Sequence, residues 1–96
     1  MAHMLVHFWP GATEANYQAE IAAVHPPGGL PKGQTYHAAG PGEAGYLIVS
    51  VWESKDAEDR FVNDVLLPAQ PVAGGFPHPV VSREAPIVNL FTAKAG

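Results

Sequence analysis

The chain has 96 residues, 47% of them apolar and only 15% charged, with a formal net charge of −4. Five Lys and Arg residues cannot build the basic surface that nucleic acid or an anionic membrane would need, and the absence of cysteine excludes disulfides, thiolate metal sites and thiolate nucleophiles. This length supports one domain over residues 1–96, and its apolar content exceeds what so small a domain hides, so a large cavity, an oligomer interface or both are expected.

In chain order, the first strand is expected over residues 3–9. Its alternation puts His3, Leu5, His7 and Trp9 on one face and Met4, Val6 and Phe8 on the other. His3, so near the start, carries no functional expectation. Pro10-Gly11 breaks the strand, and Thr13 can cap a helix beginning at Glu14. Tyr17, Ile21 and Val24 share one face of that helix, with Glu14, Gln18 and Glu20 elsewhere. Pro26-Pro27-Gly28-Gly29 stops it at or before His25, which stands where a cation favours the helix C-terminus.

A short strand is expected over residues 34–39, and the Gly- and Pro-rich segment 40–45 turns it into a hairpin. Residues 46–52 are the strongest strand, with Tyr46, Ile48 and Trp52 on one face and Leu47, Val49 and Val51 on the other. Ser54 is the expected N-cap of a second helix, and Asp56, Glu58 and Asp59 suit its first turns. Ala57, Phe61, Val62, Val65 and Leu66 form its apolar stripe, and Pro68 fits its end. Residues 69–79 read as a Pro- and Gly-studded loop, with His78 facing solvent. A last strand within 80–91 contains Pro86, which belongs at a sheet edge or bulge.

The order strand, helix, strand, strand, helix, strand, with right-handed crossovers, gives an α+β fold: a ferredoxin-like βαββαβ sandwich, its antiparallel sheet carrying both helices on one face. The uncovered face of such a sheet is polar in a monomer. Here the first and central strands are apolar on both faces, and a matching sheet from a second copy would cover them. A homodimer is therefore expected. No apolar run reaches membrane-span length and no charged signal region precedes the first strand, so a cytoplasmic protein without a membrane partner is expected.

The segment VWESKDAEDRFVNDVLLPA at 51–69, with HAAGP at 37–41 and VNLF at 88–91, resembles the dimeric α+β barrel superfamily, and within it the antibiotic biosynthesis monooxygenase-like group. The likeness covers nearly the whole chain in element order. It implies a dimeric α+β barrel that binds a small aromatic molecule. It also implies cofactor-independent oxygenation of a phenolic or polycyclic substrate, with cyclase or isomerase action and a non-catalytic binding or scaffold role as alternatives. By position, Trp52 matches the strand-ending tryptophan that lines the cavity of several relatives.

If Ala39 pairs with Tyr46, then His37 lies opposite Ile48 and shares a face with Trp52, and His7 has the parity of Leu5 and Trp9. Either histidine could then serve as general base, since imidazole titrates near neutral pH. Tyr46, Arg83 and Asn89 are the candidates to orient substrate oxygens. Glu53, beside Trp52, points by alternation to the opposite face. No metal site is expected: no histidine pair has the helical spacing of a zincin, and His3 and His7 are too far apart on one strand. The haem-degrading pattern of the superfamily has an asparagine on the first strand and a histidine near the second helix. This chain has neither, which disfavours haem.

Overall fold

Strong β-formers and two well-capped helices set the architecture. The computed structural model describes residues 1–69 and 80–93. The loop expected over residues 69–79 lies, beyond Ala69, outside the described residues, and His78 with it.

Strand β1 spans His3–Pro10 and leads to helix α1, Glu14–Val24. Thr13 is the N-cap: its Oγ accepts from the Asn16 backbone N–H while the Asn16 side chain accepts from the Thr13 N–H, a reciprocal pair that satisfies two end donors. Strand β2 spans Gln34–Gly42 and β3 spans Gly45–Trp52. The second strand thus runs three residues beyond its expected end at Ala39, and the hairpin closes through Glu43 and Ala44 alone, with Gly42 paired to Gly45. Ala44 takes a left-handed φ of 61°, unusual for a residue with a Cβ.

Helix α2, Lys55–Phe61, begins at Ser54, whose Oγ accepts from the Ala57 N–H at 3.1 Å. It continues through a π-helical stretch, Val62–Leu66, into a last short turn, α3, Leu67–Ala69. Pro68 therefore lies within the helix rather than at its end. Proline cannot donate a helix hydrogen bond, and the wide turn before it, closed by the Leu67 N–H on the Val62 carbonyl, accommodates the loss. A π turn holds extra residue per turn, so a stripe read at 3.6 residues slips across it. Val65, within the π turn, is consequently exposed.

Strand β4, Val81–Pro86, is shorter than the segment expected to hold it, and Ile87 adds one more bond to the Ala2 carbonyl. The four strands form one antiparallel sheet in the order β2-β3-β1-β4. Pro86 ends an edge strand, as its missing N–H requires. This is the ferredoxin-like arrangement, with the helices on one side.

Pairing fixes the faces. Leu5 lies opposite Ser50, His7 opposite Ile48 and Trp9 opposite Tyr46, so these side chains share the helix-covered face. In the hairpin, Ala39 pairs with Ile48 and His37 with Ser50, two residues away from the expected register. A slip of two preserves side-chain parity, so His37 keeps the face it was expected to have. The turn from α1 into β2 passes close to α2. Gly33 has φ 88°, and a Cβ there would stand 2.7 Å from that of Ala57.

Candidate functional site

Between the sheet and the two helices lies a cavity whose polar groups come from three directions. Leu5, Ile21, Val24, Ile48, Phe61 and Leu66 make its apolar walls. Trp9 and Trp52 close it along the sheet, and His7, His25, His37, Glu20, Gln34 and Ser50 supply polarity. The room left for the centres of water molecules is about 50 Å³. That accommodates a few waters, each needing ~10–15 Å³ on this measure, and falls well short of the ~300 Å³ at which ligand pockets begin.

Sequence-level candidates divide sharply here. His7, His37 and Trp52 line the same cavity. Trp52 is 1% exposed, packs against Phe61 with ring centroids 5.0 Å apart, and donates its Nε1–H to Ser50 Oγ at 2.9 Å. Its one donor is thus spent inside the protein, which leaves it a wall rather than a hydrogen-bonding contact. Tyr46 does not line the cavity. It is buried in a neighbouring cluster with Trp9 and Ala12, stacked on Tyr17 at 4.8 Å.

Arg83 and Asn89 also lie away from the cavity. Arg83 pairs with Val6 on the face that the helices leave open, where its guanidinium donates to the Ser82 carbonyl at 2.8 Å. Asn89 follows β4 instead of belonging to it, and is exposed. The strand that was to carry both residues ends at Pro86. Glu53 is exposed and does not line the cavity.

His37 is tied to residues at both ends of α1. Its Nε2 is 2.6 Å from the Tyr17 hydroxyl, and its Nδ1 is buried with no hydrogen-bond partner among the described residues. The ring of His25 meets it edge-on at 4.8 Å. Burial lowers the pKa of His37 below the ordinary imidazole value. Burial does the same to His25, helped by the neighbouring His37, and to His7, where Glu84 opposes the shift weakly. His25 is the C-cap of α1 through its backbone N–H, which donates to the Ile21 carbonyl, while its ring lines the cavity, where burial disfavours the cation expected at that helix end. Burial raises the Tyr17 phenol, with Tyr46 adding to it. His7 packs its ring edge-on to Trp9 at 5.7 Å.

Glu20 was assigned to the outer side of α1 and lies inside. It is 4% exposed, and neither carboxyl oxygen has a hydrogen-bond partner among the described residues. Burial raises its pKa, favouring the uncharged acid. The signal was present in the spacing: Glu20 stands three residues after Tyr17 and four before Val24, on the apolar stripe itself.

A second polar cluster sits at the far end of β1. His3 is buried, with Nε2 3.3 Å from both Glu58 Oε2 and Glu84 Oε1. The carboxylates and the imidazole lie within 4.8 Å of one another, a donor set a divalent cation could use. Positive charge is already supplied there by Lys55, whose Nζ lies 2.7 Å from Glu84 and 3.3 Å from Asp59. Hydrogen bonds to Glu84 and Asp59 hold Lys55 protonated, and the Lys55 bond keeps Glu84 ionised below its usual range. Glu58 is shifted up, mainly by burial and next by Glu84. His3 is therefore a structural anchor that its position near the start of the chain did not reveal.

A four-stranded antiparallel sheet with a helix-covered cavity on one side defines a ferredoxin-like α+β protein, the chain fold of dimeric α+β barrels. Solved structures share this chain fold. Rv0793 from Mycobacterium tuberculosis superposes with a TM-score of 0.72 over 96% of this chain and 100% of its own, at 12% identity. The monooxygenase from ActVA-Orf6 of Streptomyces coelicolor, solved with nanaomycin D, gives 0.59 over 97% and 92%, at 13% identity. SnoaB, a cofactor-independent oxygenase from Streptomyces nogalater, gives 0.53 over 99% and 94%, at 18% identity. No family model matches the chain, and no curated protein matches it by sequence. At these identities the likeness is one of fold. Among the described residues, no helix is long and apolar enough to cross a membrane.

Proposed function

We propose that this chain is a small-molecule-binding dimeric α+β barrel protein that oxygenates a phenolic substrate without a cofactor, with a histidine as general base. The observation that carries this reading is the cavity itself: His7 and His37 line one cavity beside Trp52, both with pKa values lowered by burial. A neutral imidazole at pH 7 is ready to accept a proton, and positioned bases of this kind contribute ~10²–10⁴-fold. His37 is the better base of the two, because its contact with Tyr17 fixes the ring. An ionised phenol or enol is electron-rich enough to react with oxygen directly, which suits the activities named for SnoaB and ActVA-Orf6.

The expected partner is a second copy of the chain, joined through the open face of the sheet. Met4, Tyr36, Leu47 and Val81 are exposed there. At roughly 25 cal/mol per Å² of apolar area, covering such a face stabilises the pair.

Turnover of a panel of small phenols, in air and under argon, tests the activity. Product should form only in air, and His7→Ala/His37→Ala should lower the rate by ~10²-fold or more without changing the oligomeric state. Full activity in that double variant refutes histidine base catalysis. Equal turnover under argon assigns an isomerase or cyclase instead. The cavity's small volume favours a second reading, a binding or scaffold module without chemistry. That reading predicts no rise in melting temperature with any aromatic compound.

A further inference from the structure

The cavity contains a carboxyl group that the proposed base catalysis does not use. Glu20 occupies an inward position of α1 where any apolar side chain would complete the stripe of Tyr17, Ile21 and Val24. Instead, both its oxygens are sealed from solvent with no hydrogen-bond partner among the described residues. An unpartnered buried polar group costs more than an apolar replacement would, so its presence calls for a compensating partner. Among the described residues no Lys or Arg lines the cavity, so none of them compensates a carboxylate there. Gln34 Oε1 and His37 Nδ1, buried around the same space, likewise have no hydrogen-bond partner among the described residues. One apolar cavity thus gathers unmet hydrogen-bonding capacity from α1 and β2, and the ligand is what remains to meet it.

We propose that Glu20 anchors the cavity's ligand by hydrogen bonding to a hydroxyl group on an uncharged ring. This rests on the reading of the cavity as a ligand site. A carboxyl oxygen accepts from a hydroxyl group in either protonation state, and a protonated carboxyl donates to it as well. A ligand carboxylate meets the Glu20 carboxyl with no Lys or Arg among the described lining residues to offset it, so anionic rings are rejected. At about 50 Å³ the cavity holds only a few waters as it stands, so the ligand is small and even a single ring enters only as the walls move apart.

Resorcinol and benzoate are the probes, titrated calorimetrically at pH 7 into the wild type, Glu20→Gln and Glu20→Leu. Glu20→Gln keeps a donor and an acceptor at the same place and should bind resorcinol nearly as tightly as the wild type. Glu20→Leu should bind it about tenfold more weakly, the worth of one good hydrogen bond, and benzoate should bind the wild type at least about tenfold more weakly than resorcinol does. Unaltered resorcinol affinity in a folded Glu20→Leu overturns the anchor and leaves the cavity standing as a site. Equal affinity for benzoate overturns the ligand class. No binding of resorcinol to the wild type overturns both the anchor and the reading beneath it. If Glu20→Leu does not fold, the carboxyl carbon-13 resonance of Glu20 in the wild type decides: it should move when resorcinol is added, and a fixed resonance in the bound protein overturns the anchor.

Discussion

On the side of the sheet beneath the helices, Leu5, Trp9 and Trp52 are buried. On the opposite side Met4, Tyr36 and Leu47 stand in solvent. The strands are the same and their apolar content is similar, so the contrast comes from cover rather than composition. The covered face has more polarity than a core needs: three histidines and a glutamate line its cavity. The open face has less polarity than a wetted surface normally shows. Each face departs from expectation in the direction that its proposed task requires, a ligand on one side and a second copy on the other.

Trp52 gives the sharpest way to break the covered face. It is 1% exposed and braced by Phe61 and Ser50, so Trp52→Ala should cost ~3–5 kcal/mol in denaturant unfolding. Such a loss consumes much of a small domain's stability. The open face should respond in assembly instead. Leu47→Glu places two like charges against each other in the paired sheets, and sedimentation should change from twice 10.1 kDa to 10.1 kDa while helix content is retained.

A smaller effect follows from pH. Burial lowers the pKa values of His7, His25 and His37, so below about pH 6.5 the unfolded chain takes up protons that the folded chain resists. Stability should therefore fall as pH drops through that range. Glu20 has the opposite sign: its raised pKa favours the folded state only while the group is protonated, so ionisation weighs against folding as pH rises. Glu20→Gln should match the wild type below about pH 4.5 and exceed it at pH 7, with a melting temperature higher by ~4–8 °C for each kcal/mol gained. Thermal melts at the two pH values check both signs.

The fold was legible because its signals are local and mutually consistent. Thr13 and Ser54 cap the two helices as their sequence positions indicate, the strand at residues 46–52 is strongly β-forming, and Pro86 marks an edge. The face of His37 was legible for a subtler reason: the hairpin register differs by two residues from expectation, and an even slip leaves parity intact.

What escaped depends on deviations from ideal period or on side-chain surroundings. The π turn at Val62–Leu66 exposes Val65 and carries the helix through Pro68, and nothing in a 3.6-residue count announces it. Arg83 and Asn89 were attached to the site through a strand that proved six residues long, with Arg83 on its far face. Glu20 was missed because a charged residue was assigned to solvent despite lying on the apolar stripe. Chemistry prompted that assignment, and spacing was the better guide.

The division of labour between the two faces can be read in one experiment, the change in two-dimensional ¹⁵N–¹H spectra as resorcinol is added. The resonances that move should be those of cavity residues such as Leu5, His37, Ser50 and Trp52, while Ala38, Leu47 and Val49 on the open face stay in place. Shifts centred on Leu47 and Val49, or no shifts at ligand concentrations that saturate weak sites, would contradict a ligand site beneath the helices.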